Sequence, residues 1–209
     1  MTETLFHHGV DISLKNLAVG TPLLIATLGP TGTSSEAAAT ALATALACRG
    51  HQSVRIDLHA SYEAAADQVL DGEADIVLVA NAYAGVSEFY MNTGFQLAAA
   101  FVKDTPNYGL AALKPVEPDS PLTVASHPAP IPLIDQLIPA GMSVAEVVRE
   151  LSTSAAAMAV VAGRVDAALT TVPAATLHGL TFFSRTRPIR MLWSAFRSAE
   201  RRTRRRETA

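Results

Sequence analysis

The chain has 209 residues, 49% of them apolar and 17% charged, which is enough to bury a substantial core and too apolar for a disordered chain. A formal charge of -3 gives no electrostatic basis for binding nucleic acid. Cys48 is the single cysteine, which excludes an intramolecular disulfide and a cysteine-based zinc cluster.

Met1 to Gly20 shows no signal-peptide pattern, and no apolar run is long enough to cross a bilayer, so a cytoplasmic protein without membrane contact is expected. From Pro22 onward strand-like and helix-like runs alternate. A strand is predicted over Leu23 to Leu28, a helix over Ser34 to Cys48, a strand over Ser53 to Leu58, a helix over Tyr62 to Leu70 and a strand over Asp75 to Val79. These make two βαβ units and imply a mainly parallel sheet. Cys48, in its Ala/Leu-rich helix, reads as a small buried hydrophobe. Phe95 to Lys103 reads as an extended crossover, and the Pro- and acid-rich stretch Pro115 to Pro121 as a surface loop.

The pattern then restarts: strand over Leu122 to Ala125, helix over Ile131 to Leu137, strand over Ser143 to Arg149, helix over Ser154 to Ala162, strand over Ala167 to Thr170. The runs Leu180 to Ser184 and Ile189 to Phe196 are expected to return to the first half. The predicted organisation is therefore a discontinuous first α/β lobe of residues 1–103 and 179–196, a second lobe of residues 104–178, and an Arg-rich, disordered tail of residues 197–209. Two lobes joined by two crossings predict a ligand cleft between them.

Three helix starts carry hydroxyls. The segment Gly29-Pro30-Thr31-Gly32-Thr33-Ser34-Ser35-Glu36 follows a strand and opens a helix, with Thr33 and Glu36 at capping-box spacing. Ser152-Thr153-Ser154 feeds a second helix, and Ser126-His127-Pro128 precedes a third. Unpaired N–H groups and the helix dipole suit an anion at such places, and in open α/β sheets ligands dock where strands end. The spacing points to a small ligand with more than one anionic group. The six histidines show no ligand spacing, so no metal is expected.

Thr27-Leu28-Gly29-Pro30-Thr31-Gly32-Thr33 resembles the glycine loop of prephenate dehydratases, and Ser126-His127-Pro128 and Ser152-Thr153-Ser154-Ala155-Ala156 resemble their second-lobe motifs, in the same order. Thr33-Ser34-Ser35-Glu36, Ala82-Tyr83-Ala84-Gly85, Phe89-Tyr90-Met91 and Asp104-Thr105-Pro106-Asn107-Tyr108-Gly109-Leu110 resemble the bacilysin-type prephenate decarboxylases more closely still. The dehydratase Thr-Arg-Phe motif is absent: Met191-Leu192-Trp193-Ser194-Ala195-Phe196 stands there, the threonine position falls on Leu192 or Ser194, and neither register supplies the arginine. Of the dehydratase Glu-Asn-Ser triplet, only Asn81 remains.

The resemblance implies a two-lobed type II periplasmic-binding-protein-like (prephenate dehydratase-like) α/β fold. It further implies non-aromatising decarboxylation of prephenate to a dihydro-4-hydroxyphenylpyruvate, without a cofactor, in the synthesis of dihydrotyrosine-type building blocks of antibiotics, in a protein that pairs as a homodimer. Substrate-binding candidates are Thr31, Gly32, Thr33, Ser34, Asn81, Ser126, Ser152, Thr153 and Ser154. His127 is the first candidate proton donor, because imidazole titrates near neutrality, with Tyr83 and Tyr90 behind it. His127 before Pro128 equally suits shaping a turn or binding a carboxylate. Two other readings are a dehydratase whose acid is Ser194, and a noncatalytic small-anion-binding protein.

Overall fold

The computed structural model describes residues 22–51 and 53–200, with the backbone of residues 6–7 and 10–11. The two-residue strands β1 (Phe6–His7) and β2 (Val10–Asp11) pair antiparallel. The rest divides into two compact units. The described part of the first holds residues 22–29, 38–51, 53–103 and 190–200, and the second holds residues 30–37 and 104–189.

The first unit is built on a five-stranded sheet in the order β4-β3-β5-β12-β6, formed by β3 (Leu23–Leu28), β4 (Val54–His59), β5 (Ile76–Ala80), β6 (Phe95–Asp104) and β12 (Arg190–Ser198). β3 runs parallel to β4 and β5, whereas β12 is antiparallel to β5, so the sheet is mixed. All five residues of β5 are buried, as a central strand covered on both faces requires. Its neighbours in the core include Ile25, Leu42, Leu46, Phe101, Trp193 and Phe196, and the Trp193 indole donates to the Lys103 carbonyl at 3.2 Å. Helix α1 (Ser34–Cys48) buries Ala38, Ala39, Leu42 and Leu46. Cys48 lies two residues beyond Leu46, about 200° around the helix, and is exposed, contrary to the expectation that it would be buried. Helix α2 (Tyr62–Leu70) is capped by Ser61, whose side chain accepts from the Ala64 N–H at 3.0 Å. A short helix that periodicity did not reveal, α3 (Val86–Met91), buries Phe89 against Phe95 and Phe196.

The second unit carries the order β11-β7-β10-β8-β9, from β7 (Tyr108–Ala112), β8 (Leu122–Ser126), β9 (Val144–Arg149), β10 (Ala167–Thr171) and β11 (Thr181–Phe182). β9, β8 and β10 are parallel and β7 is antiparallel to β10 and β11. Successive residues point to opposite faces, and the two faces differ in kind. Tyr108, Leu110, Val124 and Leu169 pack towards a 3-10 turn at Ile131–Leu133 and α4 (Ile134–Leu137). On the other face Ala111, Ala125 and Ala168 meet Ala156, Ala157 and Val160 of α5 (Thr153–Val161) and Ala175 of α6 (Val172–Leu177). Residues 179–189, expected with the first lobe, belong here, because β11 finds a free edge on β7 and pairs with it. Arg197 and Ser198, assigned to the tail, end β12, and residues 201–209 lie outside the described residues.

Candidate functional site

The parallel strands β8 and β10 end, and the antiparallel strand β7 begins, at one edge of the second sheet. That edge places Ser126 at the end of β8, Thr170 and Thr171 at the end of β10 and Tyr108 at the start of β7, all buried. In an open α/β sheet this is the edge at which ligands dock.

The glycine loop is fastened to this edge. Gly32 has φ of 90°, and a Cβ there would come within 3.1 Å of the Ala174 Cα, so only glycine fits without strain. The Gly32 N–H donates to Glu36 Oε2 at 2.7 Å, and its carbonyl accepts from Thr171 Oγ1 at 2.8 Å. The Thr33 hydroxyl caps α1 by accepting from the Glu36 N–H at 3.3 Å. The capping box therefore forms with a shift of one residue, since Glu36 reaches back to Gly32. With its amide and carbonyl both engaged, Gly32 shapes the loop and leaves no free amide for a ligand. Thr31 is exposed, and Ser34 Oγ meets Tyr108 Oη at 2.9 Å.

The start of α5 is the second fastening. The Ser152 hydroxyl accepts from the Ala155 N–H at 3.0 Å, and Ser154 Oγ meets His178 Nε2 at 2.9 Å. Thr170 Oγ1 donates to the Thr153 carbonyl at 2.7 Å. Thr153 is only 5% exposed, and its hydroxyl is buried with no hydrogen-bond partner among the described residues. Beside it, the Ala155 N–H is taken by the Ser152 cap, and the N–H groups of Thr153 and Ser154 have no acceptor within the helix. A buried hydroxyl without a partner costs about 1 to 3 kcal/mol, which a ligand oxygen would recover.

Ser126 donates to the carbonyl of His127 at 2.8 Å, and the Ala129 N–H donates to His127 Nδ1 at 3.4 Å. Nδ1 is thus the acceptor, and the neutral ring carries its proton on Nε2. Burial holds the His127 pKa below the ordinary histidine value, so the ring is neutral at pH 7.

The remaining candidates lie in the first unit. Asn81, Tyr90 and Ser194 form a closed ring of hydrogen bonds. Ser194 Oγ donates to Asn81 Oδ1 at 2.8 Å, Asn81 Nδ2 donates to Tyr90 Oη at 3.2 Å, and Tyr90 and Ser194 meet at 2.5 Å, with the tyrosine left as donor. Tyr83 donates to Glu63, and this bond, with burial and the Glu63 and Glu88 charges, pushes its pKa up to about 12.

Tyr108, Thr170, Thr171 and His178 were not singled out for this edge by sequence. Thr171-Val172-Pro173 did carry a signal, a capping threonine followed by proline in the first turn, and Thr171 accepts from the Ala174 N–H at 3.4 Å. A cavity of about 600 Å³, lined by Leu113, Val116, Leu122, Val161 and Asp166 among others, opens at the opposite edge of the same sheet, away from these hydroxyls. Among the described residues no three His, Cys, Asp or Glu side chains cluster to hold a metal, and no helix is long and apolar enough to cross a membrane.

No family model matches the chain. It is 34% identical over 201 residues to a prephenate decarboxylase of Bacillus amyloliquefaciens, covering 92% of this chain and 95% of the relative. It is 36% identical over 177 residues to a prephenate decarboxylase of Planktothrix agardhii, covering 83% and 87%. Among solved structures, the prephenate dehydratase of Arthrobacter aurescens in complex with L-Phe superposes with a TM-score of 0.65 at 20% identity. That match covers 87% of this chain and 63% of the dehydratase. Lipoprotein Tp32 from Treponema pallidum gives a TM-score of 0.54 at 13% identity, covering 86% and 84%. On the relatives' identity and coverage the chain belongs to the prephenate decarboxylase family, carried on the two-lobed type II periplasmic-binding-protein-like fold.

Proposed function

We propose that this chain decarboxylates prephenate without aromatising its ring. In a chain of this family, the observation that carries the reading is the buried, unpaired Thr153 hydroxyl at the start of α5. Prephenate has a pyruvyl carboxylate, a ring carboxylate and a ring hydroxyl. The Thr153 hydroxyl and the Thr153 and Ser154 amides of α5 hold the pyruvyl carboxylate, which stays charged throughout and gains from the positive end of the helix dipole. Ser126, Ser152 and Ser154 build this cradle, and Thr31, Thr33 and Ser34, positioned by Gly32, line its other side. These donors are all neutral. An arginine against the departing ring carboxylate would stabilise a charge that disperses in the transition state, and so would slow its loss.

Retention of the ring hydroxyl is supported by Ser194. Its proton is committed to Asn81, with Tyr90 donating in turn, which leaves no acid at the hydroxyl that one register sets in place of the dehydratase threonine. Asn81 and Tyr90 are assigned to holding Ser194, and Tyr83 has its proton on Glu63. His127 is assigned as a neutral Nε2–H donor to a substrate oxygen. The reading includes a dihydro-4-hydroxyphenylpyruvate product destined for dihydrotyrosine-type building blocks, made without a cofactor by a cytoplasmic homodimer.

Incubation with prephenate followed by proton NMR tests it. Loss of the prephenate signals with new olefinic resonances and none in the aromatic region is the expected result. Phenylpyruvate would establish a dehydratase instead, and unchanged prephenate with saturable binding a noncatalytic binder.

A further inference from the structure

The hydroxyls at the carboxyl edge of the second sheet can be counted for protons as well as for contacts. Ser126 gives its proton to the His127 carbonyl, Thr170 to the Thr153 carbonyl and Thr171 to the Gly32 carbonyl. Ser34 and Tyr108 differ. They share one hydrogen bond, at 2.9 Å, and neither side chain has another partner among the described residues. Two hydroxyls hold two protons and one bond uses one of them, so a proton is left over. Both residues are buried, Tyr108 to 5% exposure and Ser34 to 9%. Phenol is the stronger acid and therefore the better donor, which leaves the free proton on Ser34. Tyr108 is held in this position from two sides, by its register with Thr171 and by its backbone pairing with Arg187.

We propose that Tyr108 is the source, and Ser34 the deliverer, of the proton that replaces the lost carboxylate on the substrate ring. The proposal rests on the decarboxylase reading above. The bond between the ring carbon and its carboxylate breaks and carbon dioxide leaves. The released pair forms a new ring double bond, and the π pair displaced from the neighbouring double bond takes the Ser34 proton at its far carbon. Ser34 takes the Tyr108 proton along the existing hydrogen bond, the negative charge rests on the phenolate, and water returns a proton to it. The ring hydroxyl is untouched. Burial raises the Tyr108 pKa more than the Ser34 hydrogen bond lowers it, so the phenol enters each turnover protonated.

Tyr108→Phe and Ser34→Ala, compared with the unaltered chain, test this through kcat, the prephenate dissociation constant by calorimetry, the solvent deuterium isotope effect and thermal melting. Each variant is expected to lose about a hundredfold or more in kcat, the scale of general acid catalysis. Tyr108→Phe should bind prephenate within about threefold of the unaltered chain, and the double variant should be no slower than the worse single one, as for residues acting as a unit. The isotope effect of the unaltered chain should change in Tyr108→Phe, where proton delivery has a different source. If the unaltered chain leaves prephenate intact, the decarboxylase reading fails; if it turns over and Tyr108→Phe keeps its kcat within threefold, only the proton assignment fails. Loss of kcat in Tyr108→Phe accompanied by an equal loss of binding, or melting of both variants below assay temperature, would also overturn it, since the pair would then be scaffold.

Discussion

Thr171 Oγ1 donates to the carbonyl of Gly32 at 2.8 Å and so ties the end of β10 to a loop 139 residues earlier in the chain. The same oxygen caps α6 by accepting from the Ala174 N–H, whose own residue packs against Gly32. Replacing Thr171 by valine keeps the shape and removes both bonds. Leaving a buried carbonyl unpaired and a helix uncapped should cost about 2 to 4 kcal/mol, read from urea unfolding. A loss under about 0.5 kcal/mol would show that the tie is dispensable.

Thr153 offers the opposite contrast. Its hydroxyl is buried and bonds to nothing among the described residues, so Thr153→Val breaks no internal hydrogen bond. Stability should stay within about 0.5 kcal/mol of the original or rise. A hydrogen bond to a charged ligand is worth about 1.5 to 3 kcal/mol, so KM for prephenate should rise by about ten- to a hundredfold. An unchanged KM would remove Thr153 from the substrate cradle.

Ser194→Ala separates the two chemistries open to this fold. The variant leaves Asn81 Oδ1 without its donor and Tyr90 without its acceptor, at a cost of about 1 kcal/mol where water reaches the exposed tyrosine. The product by NMR should remain non-aromatic before and after the substitution. Phenylpyruvate from the unaltered chain that disappears in the variant would make Ser194 a dehydrating acid.

The Tyr83–Glu63 bond should be visible in alkaline titration. A tyrosine whose pKa rises from 10.0 to about 12 on folding contributes stability in full below pH 10, and that contribution is lost as pH climbs towards 12. Glu63 works at the other end of the scale: burial pulls its carboxyl up, but the Tyr83 bond and two hydrogen bonds nearer the helix start bring it below its ordinary value. Its contribution is therefore lost as pH falls through the acid range. Phenolate absorbance should show a late-titrating tyrosine that is absent from Tyr83→Phe. The unaltered chain and the variant giving superimposable curves would contradict the bond.

Much of the fold could be read from the residues because its elements are long or strongly punctuated. β3, α1, α2, β5 and α5 follow runs that alternate between β-branched and alanine-rich segments, and glycine turns mark their ends. The elements that escaped are short or antiparallel. Tyr108–Ala112 is a five-residue strand between Pro106 and a proline-rich loop, and nothing local shows that it runs backwards into the carboxyl edge. Its direction decides that Tyr108 meets Ser34, so the pairing of these two hydroxyls was beyond reach of the sequence. The glycine loop was recognisable, but its free amide was not to be had, because Glu36 reaches one residue further than a capping box requires. His178, which looks like a surface residue after a helix, meets Ser154 instead, a contact 24 positions apart that spacing does not encode.

Thr170 and Thr171 are neighbours on one strand, and neighbours on a strand face opposite ways. One therefore serves the start of α5 and the other the glycine loop, and Tyr108, lying across from Thr171, shares the loop's side. The arrangement is keyed to odd and even. Inserting or deleting a single residue in β10 would swap the two threonines between faces and undo both ties together, while a change of two residues would keep the parity and merely shift the lock along the strand.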